Sequence, residues 1–384
     1  MSKVQSTRSE AKRSFAKEGP KSKGARFMER AFELAERGRY TVSPNPMVGA
    51  VLVANGRIVG EGWHRRAGGP HAEIAALAAA GRRARGADLY VTLEPCVHHG
   101  RTPPCTKALA AAGVRRVVYA ARDPNPLVAG RGARALRRAG LAVNAGTPAD
   151  RARARRQNER FFVSILRRRP FVLAKWAAAL DGKIASASGQ SRWITGAGAR
   201  RKAMLLREEM DAVLVGAGTV KADDPRLTRR LGVNRATPHC RIVLDGRLLT
   251  PENAGLFRRP AGVIVATALP ESHPKARRLA RRGVVVWSLP GSRRGEVDLP
   301  RLLANLLESG VTSLLVEGGG ATHAAFLAAG LVDRVAIFFA PRLLGGELAP
   351  SAVAGRGFKL AEAPWLCDLE IEAVGADLYL TGRL

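Results

Sequence analysis

Cysteine is scarce in this sequence, which holds only four in 384 residues. So low a count excludes a disulfide-stapled fold and favours a reducing compartment, which we expect to be the cytoplasm. Long hydrophobic runs are also missing, because no window offers the 18 or more uninterrupted apolar residues of a membrane span. We therefore expect a soluble protein with no membrane association. The chain is longer than one typical domain of roughly 100 to 200 residues, so we expect two domains.

Acidic residues are few as well, since 32 Asp and Glu face 63 Lys and Arg and leave a net charge of +31. A strongly basic protein invites a nucleic-acid or other polyanion partner. The excess is mostly arginine, however, and it is spread along the whole chain, with rich stretches at 81–86 and 151–156. This distribution resembles a compositional bias more than a focused patch. We therefore expect no nucleic-acid partner, because a phosphorylated small substrate would use only two or three cations.

The first 24 residues carry seven Lys or Arg and two acidic residues, with no apolar stretch. Such a segment is not a secretory signal and lacks the hydrophobic pattern needed to fold alone. We interpret residues 1–24 as a disordered basic tail. The alternative is a targeting sequence for an organelle.

Regular structure is predicted to begin with an amphipathic helix and a hairpin. Apolar residues recur at helical spacing over 27–38, and two β-rich runs, 47–53 and 57–63, flank Asn55-Gly56, a dipeptide that suits a tight turn. Further helices are expected at 71–80 and 106–112, and further strands at 88–93 and 114–120. The alternation of strands and helices predicts an α/β layered domain.

An arginine-rich stretch, 151–169, holds eight Arg and one acidic residue and leads to Pro170, where the pattern restarts. We place the domain boundary there, with a first domain over 25–168 and a second over 169–384. Beyond it, strand candidates alternate with helical stretches, which predicts βαβ units and a largely parallel sheet. The strands are expected at 171–176, 212–215, 241–244, 262–266, 283–287, 313–316 and 334–339, and the helices at 199–209, 275–281, 299–308 and 321–329.

Residues that commonly bind zinc stand in the first half. His71, Cys96 and Cys105 offer one imidazole and two thiolates, the donor set of a catalytic zinc site with an open fourth position. Zinc lowers the pKa of a bound water from about 15.7 to roughly 7, which makes a nucleophile at neutral pH. Glu73, near a helix start, need not bind the metal and is placed to carry a proton. The pattern predicts hydrolytic removal of an amino group from a heterocyclic base.

The cysteine spacing differs from that of the deaminases that edit nucleic acids, because eight residues separate Cys96 from Cys105 where those enzymes have two. Three alternatives stay open. The residues could be a satisfied core histidine and inert thiols, or a closed structural zinc site with His98 or His99 as fourth ligand. The third alternative is a nucleic-acid-editing deaminase with an accessory domain, although aromatic residues interleaved with basic ones are missing.

Further motifs surround these residues in the first half of the chain. They are Pro44-Asn45-Pro46-Met47-Val48-Gly49, Gly60-Glu61-Gly62-Trp63-His64, His71-Ala72-Glu73, Thr92-Leu93-Glu94-Pro95-Cys96, His98-His99-Gly100-Arg101-Thr102-Pro103-Pro104-Cys105 and Asp123-Pro124-Asn125-Pro126. With these motifs the sequence resembles the bifunctional deaminase/reductase family of riboflavin biosynthesis. The family has the eight-residue cysteine spacing, and the resemblance runs from about Phe27 to Leu384.

This resemblance implies an N-terminal cytidine-deaminase-like three-layer domain followed by a dihydrofolate-reductase-like α/β domain. It implies zinc on His71, Cys96 and Cys105, with Glu73 as the proton donor. The implied substrate is a diaminopyrimidinone that carries a ribosylamino 5′-phosphate.

Three residues fall where this family contacts that substrate: Asn45, His64 and Arg101. The amide of Asn45 suits a base edge, and the guanidinium of Arg101 suits a phosphate. From the residues alone, Asn45 could equally be a turn residue between two prolines, and Arg101 a solvated loop charge.

The second half holds two glycine-rich turns, and backbone N–H groups of such turns often hold phosphate where a helix follows. They are Val215-Gly216-Ala217-Gly218-Thr219-Val220 and Val316-Glu317-Gly318-Gly319-Gly320. Neither is the G-x-G-x-x-G fingerprint of the dinucleotide fold, so tight strand-to-helix connections are the alternative.

Four motifs of the second half resemble the reductase domain of the same family: Leu180-Asp181-Gly182-Lys183, Ser191-Arg192-Trp193-Ile194-Thr195, Asp223-Asp224-Pro225 and Glu317-Gly318-Gly319. The implied cofactor is NADPH. On the cofactor side the resemblance places Lys175, Ala177, Trp193, Thr219, Asp223, Gly319 and Gly320. On the substrate side it places Ser191, Arg207, Leu227, Arg230 and Glu317.

The implied second reaction is hydride delivery to the sugar C1 of the deaminated product, which opens ribose to ribityl. The cofactor carries this chemistry and the protein chiefly orients it. Lys175 and Asp181 are polar groups beside the reacting sugar, although Asp181-Gly182 could be only a turn. We also expect a homo-oligomer.

Overall fold

The first half of the chain is a five-stranded sheet with helices on both faces. A computed structural model describes residues 24–97, 104–126, 128–233 and 239–384. The elements of the first half are α1 (Ala25–Glu36), β1 (Gly49–Ala54), β2 (Arg57–Trp63), α2 (Ala72–Ala80), β3 (Asp88–Leu93), α3 (Cys105–Ala111), β4 (Arg116–Ala121), α4 (Arg131–Arg138), β5 (Ala142–Ala145), α5 (Pro148–Gln157) and α6 (Glu159–Arg167). The strand order is β2-β1-β3-β4-β5, antiparallel from β2 to β3 and parallel from β3 to β5.

Two apolar clusters make this sheet the middle of three layers. Alanines of α2 pack with α3 and α4 on one face, and aromatic residues of α1 pack with α5 and α6 on the other. Helix α2 lies directly on β2 because Gly60 and Gly62 carry no side chain there. A Cβ at Gly60 would meet the Ala76 carbonyl at 2.4 Å, and one at Gly62 would meet the Ala72 carbonyl at 2.3 Å. This close approach positions the amino end of α2.

The arginine-rich stretch between the predicted domains is helical, which the sequence analysis did not predict. Thr147 caps α5, and its capping box with Asp150 satisfies the first backbone N–H groups. Most arginines of α5 project into solvent, so they give no apolar periodicity by which a helix is recognised.

The second half is built on a nine-stranded sheet. Its elements are β6 (Phe171–Ala179), α7 (Ala197–Glu209), β7 (Ala212–Gly216), α8 (Ala217–Asp223), β8 (Cys240–Leu244), β9 (Val263–Thr267), α9 (Pro274–Arg281), β10 (Val285–Ser288), α10 (Leu299–Glu308), β11 (Ser313–Val316), α11 (Gly320–Ala328), β12 (Arg334–Ala340), β13 (Cys367–Val374) and β14 (Asp377–Arg383). The order is β10-β9-β8-β7-β11-β6-β12-β14-β13. The seven strands from β10 to β12 are parallel, as predicted.

An antiparallel hairpin, β13 and β14, extends this sheet beyond β12 and was not predicted. Nearly all of β13 is exposed, so it lacks the continuous apolar run by which the buried strands were found. Apolar residues on the two faces of the sheet pack against α7 and α9 on one side and α10 and α11 on the other. The fold is thus α/β in both halves.

Within the described residues, no helix is long and apolar enough to cross a membrane. The basic tail predicted at 1–24 lies outside the described residues, apart from Gly24.

Two candidate active sites

Helix and strand ends bring the predicted zinc ligands together. His71 is the residue before α2, Cys105 is the first residue of α3, and Cys96 follows β3, the central strand. His71 Nδ1 lies 3.2 Å from Cys105 Sγ and 3.5 Å from Cys96 Sγ. All three donor atoms lie within 4.8 Å of one another.

This arrangement fits zinc. Bonds of about 2.1 Å to nitrogen and 2.3 Å to sulfur at tetrahedral angles separate the donor atoms by roughly 3.6 Å. The distances from His71 Nδ1 to the two sulfurs are close to that value. His98 and His99, which could close the site as fourth ligands, lie outside the described residues.

The two thiols differ in acidity. A hydrogen bond from the Cys105 thiol, together with His71, holds the pKa of Cys96 at about 4. The Cys96 thiolate and burial raise the pKa of Cys105 well above its ordinary value. Binding a cation would deprotonate the second thiol, because metal coordination favours the thiolate. The pair therefore suits a divalent metal better than an empty apolar core.

Glu73 stands in the first turn of α2 and is only 4% exposed. Burial and the nearby Cys96 thiolate raise its pKa to about 7. A carboxyl with such a pKa both accepts and donates protons near neutral pH. Its position beside the ligands therefore suits a proton shuttle.

Asn45 and His64 lie next to the three residues that could bind zinc. The His64 ring lies edge-on to the His71 ring, with centroids 5.5 Å apart. His64 Nε2 is 3.0 Å from Asn45 Nδ2, and His64 Nδ1 is 3.0 Å from the Pro70 carbonyl oxygen. Arg101, the third predicted substrate contact, lies outside the described residues.

The loop that carries Asn45 is anchored by two residues that the sequence analysis missed. Asn158, at the end of α5, accepts from Met47 N at 2.7 Å and donates to Met47 O at 2.9 Å. Asp211, in the second half, accepts from the Ser43 hydroxyl at 2.6 Å. No local motif marks either residue, because each acts on a partner more than 100 positions away.

A second polar site lies at the carboxyl ends of β6 and β11, which are neighbours in the large sheet. The Arg207 guanidinium, on α7, donates from two nitrogens to Glu317 at 2.9 Å each. The Nζ of Lys175 lies 3.9 Å from Glu317 Oε2. Burial tends to raise the pKa of Glu317, but Arg207 and Lys175 outweigh it and hold the pKa at about 2. Three of the predicted residues thus form one largely buried ionic group, with side chains 12% to 16% exposed.

Leu227 and Arg230 belong to the loop that passes beside this ionic group. Arg207 Nη1 donates to the Thr228 carbonyl at 3.2 Å, which ties the loop to α7. Leu227 is buried with a positive φ of 54°, a conformation that a branched side chain rarely adopts. Glu208 accepts from the backbone N–H of Arg230, and the Arg230 side chain is exposed.

The two glycine-rich segments lie next to each other, because β7 and β11 are neighbouring parallel strands. The first was expected to be a turn, but the chain passes directly from β7 into α8, so Gly218 and Thr219 lie at the start of that helix. Gly319 N donates to Thr219 Oγ1 at 3.0 Å and joins the two segments. A Cβ at Gly218 would have nothing within 4 Å, and one at Gly319 would meet only that hydroxyl, at 3.4 Å. Gly320 begins α11. The two segments therefore border open space at the carboxyl edge of the sheet, the edge where α/β proteins bind nucleotides.

The remaining predicted cofactor and substrate residues lie in two places. Ser191 Oγ donates to Asp223 Oδ1 at 3.3 Å, at the end of α8. Trp193 is 64% exposed, and the Arg200 guanidinium lies over its ring. Ala177 is half-buried on β6, two residues beyond Lys175.

Two family models match the chain, one in each half. The RibD C-terminal domain matches residues 170–380, more than half of the chain. The cytidine and deoxycytidylate deaminase zinc-binding region matches residues 21–121, which include His71, Glu73, Cys96 and Cys105.

Curated relatives cover nearly the full length. The riboflavin biosynthesis protein RibD of Bacillus amyloliquefaciens is 43% identical over 357 residues, which are 92% of this chain and 95% of the relative. The protein of the same name from Escherichia coli (strain K12) is 42% identical over 366 residues, 92% of this chain and 97% of the relative.

Solved structures agree in fold. RibD of Acinetobacter baumannii superposes with a TM-score of 0.83 at 38% identity, covering 94% of this chain and 98% of that one. A diaminohydroxyphosphoribosylaminopyrimidine deaminase/5-amino-6-(5-phosphoribosylamino)uracil reductase from Thermotoga maritima gives a TM-score of 0.81 at 37% identity, covering 93% and 97%. The predicted family, fold and pair of activities are confirmed. The chain therefore belongs to the RibD family of riboflavin biosynthesis, with a deaminase half and a reductase half.

Proposed function

We propose that this protein deaminates 2,5-diamino-6-(5-phosphoribosylamino)pyrimidin-4-one by hydrolysis and then reduces the ribosyl group of the product to ribityl with NADPH. The observation that carries the proposal is the grouping of His71, Cys96 and Cys105 around one point, with the buried Glu73 beside them. The name of the Thermotoga maritima protein describes the same two activities in one chain.

In the deaminase half, His71, Cys96 and Cys105 would hold zinc. When bound, zinc lowers the pKa of a coordinated water to about 7 and so supplies the nucleophile. Glu73 accepts a proton from the attacking water and delivers protons to the ring nitrogen and the leaving amino group. A pKa of about 7 allows it to act in both directions at neutral pH. Ammonia is released and a carbonyl oxygen takes the place of the amine.

The substrate side of this site is proposed to consist of Asn45, His64 and Arg101. Asn45 and His64 lie next to the three residues that could bind zinc, and the amide of Asn45 suits the edge of a base. Arg101 would bind the phosphate as a bidentate cation.

In the reductase half, NADPH is proposed to bind beside the two glycine-rich segments. Gly319 and Gly320 at the start of α11 offer backbone N–H groups and a helix dipole to a phosphate. We propose that the cofactor lies against Lys175, Ala177, Trp193, Thr219, Asp223, Gly319 and Gly320. NADPH supplies the hydride when bound, and these residues orient its nicotinamide.

The substrate of the reductase half is proposed to lie against Ser191, Arg207, Leu227, Arg230 and Glu317. The rigid ion pair of Arg207 with Glu317 presents fixed charge to the sugar and holds the Leu227 loop. Hydride addition at the sugar C1, with protonation of the ring oxygen, gives the open ribityl chain. Lys175, which is buried next to Glu317, stands beside this reaction.

The domain bounds, the location, the oligomeric state and the partners are also proposals. We propose a tail over 1–24, a deaminase domain over 25–168 and a reductase domain over 169–384. We also propose a cytoplasmic homo-oligomer that binds small molecules and neither nucleic acid nor membranes.

The test supplies the diaminopyrimidinone nucleotide and NADPH to purified protein loaded with zinc. We expect ammonia release followed by oxidation of NADPH, and absence of both would refute the proposal. Glu73→Gln should abolish ammonia release and leave reduction of the deaminated nucleotide intact. Equal loss of both activities would contradict two independent sites.

A further inference from the structure

We propose that His239 is a positioning residue of the reductase half: its ring holds the backbone carbonyl of Leu227 and so fixes the loop that carries two of the proposed substrate contacts. This loop, the Leu227 loop, is residues 225–231 and follows α8. The inference rests on the proposed reductase function and deepens it, because it adds a residue outside the proposed contacts with substrate and cofactor. His239 directly precedes β8 and belongs to none of the motifs that predicted the site.

The later part of the Leu227 loop is held by α7. Arg207 Nη1 donates to the Thr228 carbonyl at 3.2 Å. Glu208, which is fully buried, accepts from the backbone N–H groups of residues 230 and 231 at 3.0 Å and 2.8 Å. Hydrogen bonds to a carboxylate are stronger than those between neutral groups, so this part of the loop is firmly fixed. None of these contacts involves Leu227 itself.

Leu227 is the point of the loop that most needs a fixed partner. Its φ of 54° lies in the left-handed region, which side chains rarely adopt because the Cβ crowds the backbone carbonyl oxygen. A residue in such a conformation keeps it only when its surroundings fix it. The Leu227 side chain is buried in the apolar cluster that packs against α7 and α9. Its carbonyl is held by His239, since Nε2 of the ring lies 3.0 Å from that oxygen.

The direction of this hydrogen bond follows from the atoms that form it. A carbonyl oxygen only accepts, so Nε2 of His239 carries the hydrogen. Nδ1 is buried, and within the described residues it has no hydrogen-bond partner, so a hydrogen placed there would stay unpaired. The tautomer with hydrogen on Nε2 is therefore the one that binds Leu227.

The charges around His239 keep its ring neutral. Burial, together with the nearby guanidinium groups of Arg229, Arg207 and Arg241, lowers the pKa of His239 to about 4. Near neutral pH the ring therefore carries one hydrogen, and that hydrogen points at the Leu227 carbonyl.

Two of the proposed substrate contacts, Leu227 and Arg230, lie in this loop, so their relative placement depends on its conformation. A loop that is fixed before the substrate arrives loses less conformational entropy on binding. Loss of the His239 hydrogen bond should therefore weaken binding of the deaminated nucleotide. Hydride transfer and NADPH binding should be spared, because His239 lies outside both sets of contacts.

Hydrogen exchange tests the fixed loop without any substrate. Asparagine and glutamine are both neutral amides, but only the longer glutamine places an N–H where Nε2 of histidine stands. Amide exchange in residues 225–231, followed by mass spectrometry, should become about 3- to 10-fold faster in His239→Asn, the range expected for one neutral hydrogen bond. It should stay near the wild-type rate in His239→Gln. Exchange as slow in His239→Asn as in wild type would overturn the proposal whether or not the enzyme has the proposed activity.

Steady-state kinetics tests the effect on the substrate. With the deaminated nucleotide and NADPH supplied, His239→Asn should raise the KM for the nucleotide about 3- to 10-fold, and His239→Gln should recover most of this loss. The kcat and the KM for NADPH should change by less than about 2-fold, because the lost contact serves binding of the nucleotide alone. His273→Asn is the matched control: this histidine caps α9, and its replacement should change neither the exchange of the loop nor the KM.

Three results would contradict a positioning role. Equal KM values for the nucleotide in His239→Asn and His239→Gln would show that the hydrogen bond is not the cause. A rise of the same size in the KM for NADPH would show that His239 acts on the cofactor site. Faster exchange throughout the second half would show general destabilisation in place of local positioning. A wild-type protein that does not reduce the nucleotide would refute the proposed function, while the exchange result would still decide whether His239 holds the loop.

Discussion

Replacing Glu317 by glutamine should destabilise the second half of the protein, with a pH dependence of defined sign. The substitution keeps the shape of the side chain and removes its charge. Arg207 and Lys175 then share a largely buried site without that counter-charge, although Arg207 donates two hydrogen bonds to the carboxylate in the wild type.

The size of the effect follows from the pKa of Glu317, which is about 2 in the folded protein against an ordinary value of 4.5. A lowered pKa means that the carboxylate stabilises the fold above pH 4.5, and this contribution is lost as the pH falls from 4.5 towards 2. At about 1.36 kcal/mol for each pKa unit, the full contribution is on the order of 3 kcal/mol. Breaking a buried ion pair by removing one partner typically costs about 3 to 5 kcal/mol, which agrees.

Urea unfolding followed by tryptophan fluorescence suits this measurement, since Trp176, Trp193, Trp287 and Trp365 all lie in the second half and only Trp63 in the first. Glu317→Gln should lower the free energy of unfolding by about 3 kcal/mol at pH 7. The difference from wild type should stay constant down to about pH 4.5 and shrink below it.

Glu296→Gln is the matched control. Glu296 is exposed and lies 3.9 Å from the exposed Arg293, so its loss should change stability by less than about 0.5 kcal/mol. If Glu317→Gln were as stable as wild type at pH 7, or if the difference grew on acidification, the account of this ionic group would be refuted.

Three further predictions concern the residues that could bind zinc, the loop that carries Asn45 and the glycine-rich segments of the second half. Removing zinc with a chelator should abolish ammonia release and leave reduction of the deaminated nucleotide unchanged, because His71, Cys96 and Cys105 lie in the deaminase half. Loss of both activities together would argue against this. Ser43→Ala should lower stability by about 1.5 kcal/mol in the same urea assay, the low end for a hydrogen bond to a charged group, since Thr312 still donates to Asp211. Ser309→Ala, which loses an exposed hydroxyl, is its control, and an equal effect of the two would contradict an anchoring role. Gly319→Ala should raise the KM for NADPH roughly 10-fold while the free energy of unfolding changes by less than about 1 kcal/mol, because the added Cβ occupies open space in the protein. An unchanged KM would place the cofactor elsewhere.

Most strands and several helices were predictable from the sequence because their burial leaves a pattern. The strands of the parallel sheet are continuous apolar runs, since helices cover both faces. Helix α5 and strand β13 were missed for the opposite reason. Most arginines of α5 are exposed, as is nearly all of β13, so the local sequence shows little of the packing that holds them.

The sequence alone showed the donor set at His71, Cys96 and Cys105 with the carboxyl of Glu73 beside it, because an imidazole and two thiolates are a set that zinc binds. Their motifs also carried the resemblance to the family, which the full-length relatives confirmed. The role of each of these residues follows from the chemical group that its own side chain carries.

Only the tertiary structure decided how the supporting groups act. The Asn45 loop depends on Asn158 and on Asp211 of the other half, and the ion pair of Glu317 depends on Arg207, 110 positions away. Hydrogen bonds and ion pairs depend on distance and direction in space. A sequence shows which groups can form them, and the fold alone decides which partners they meet.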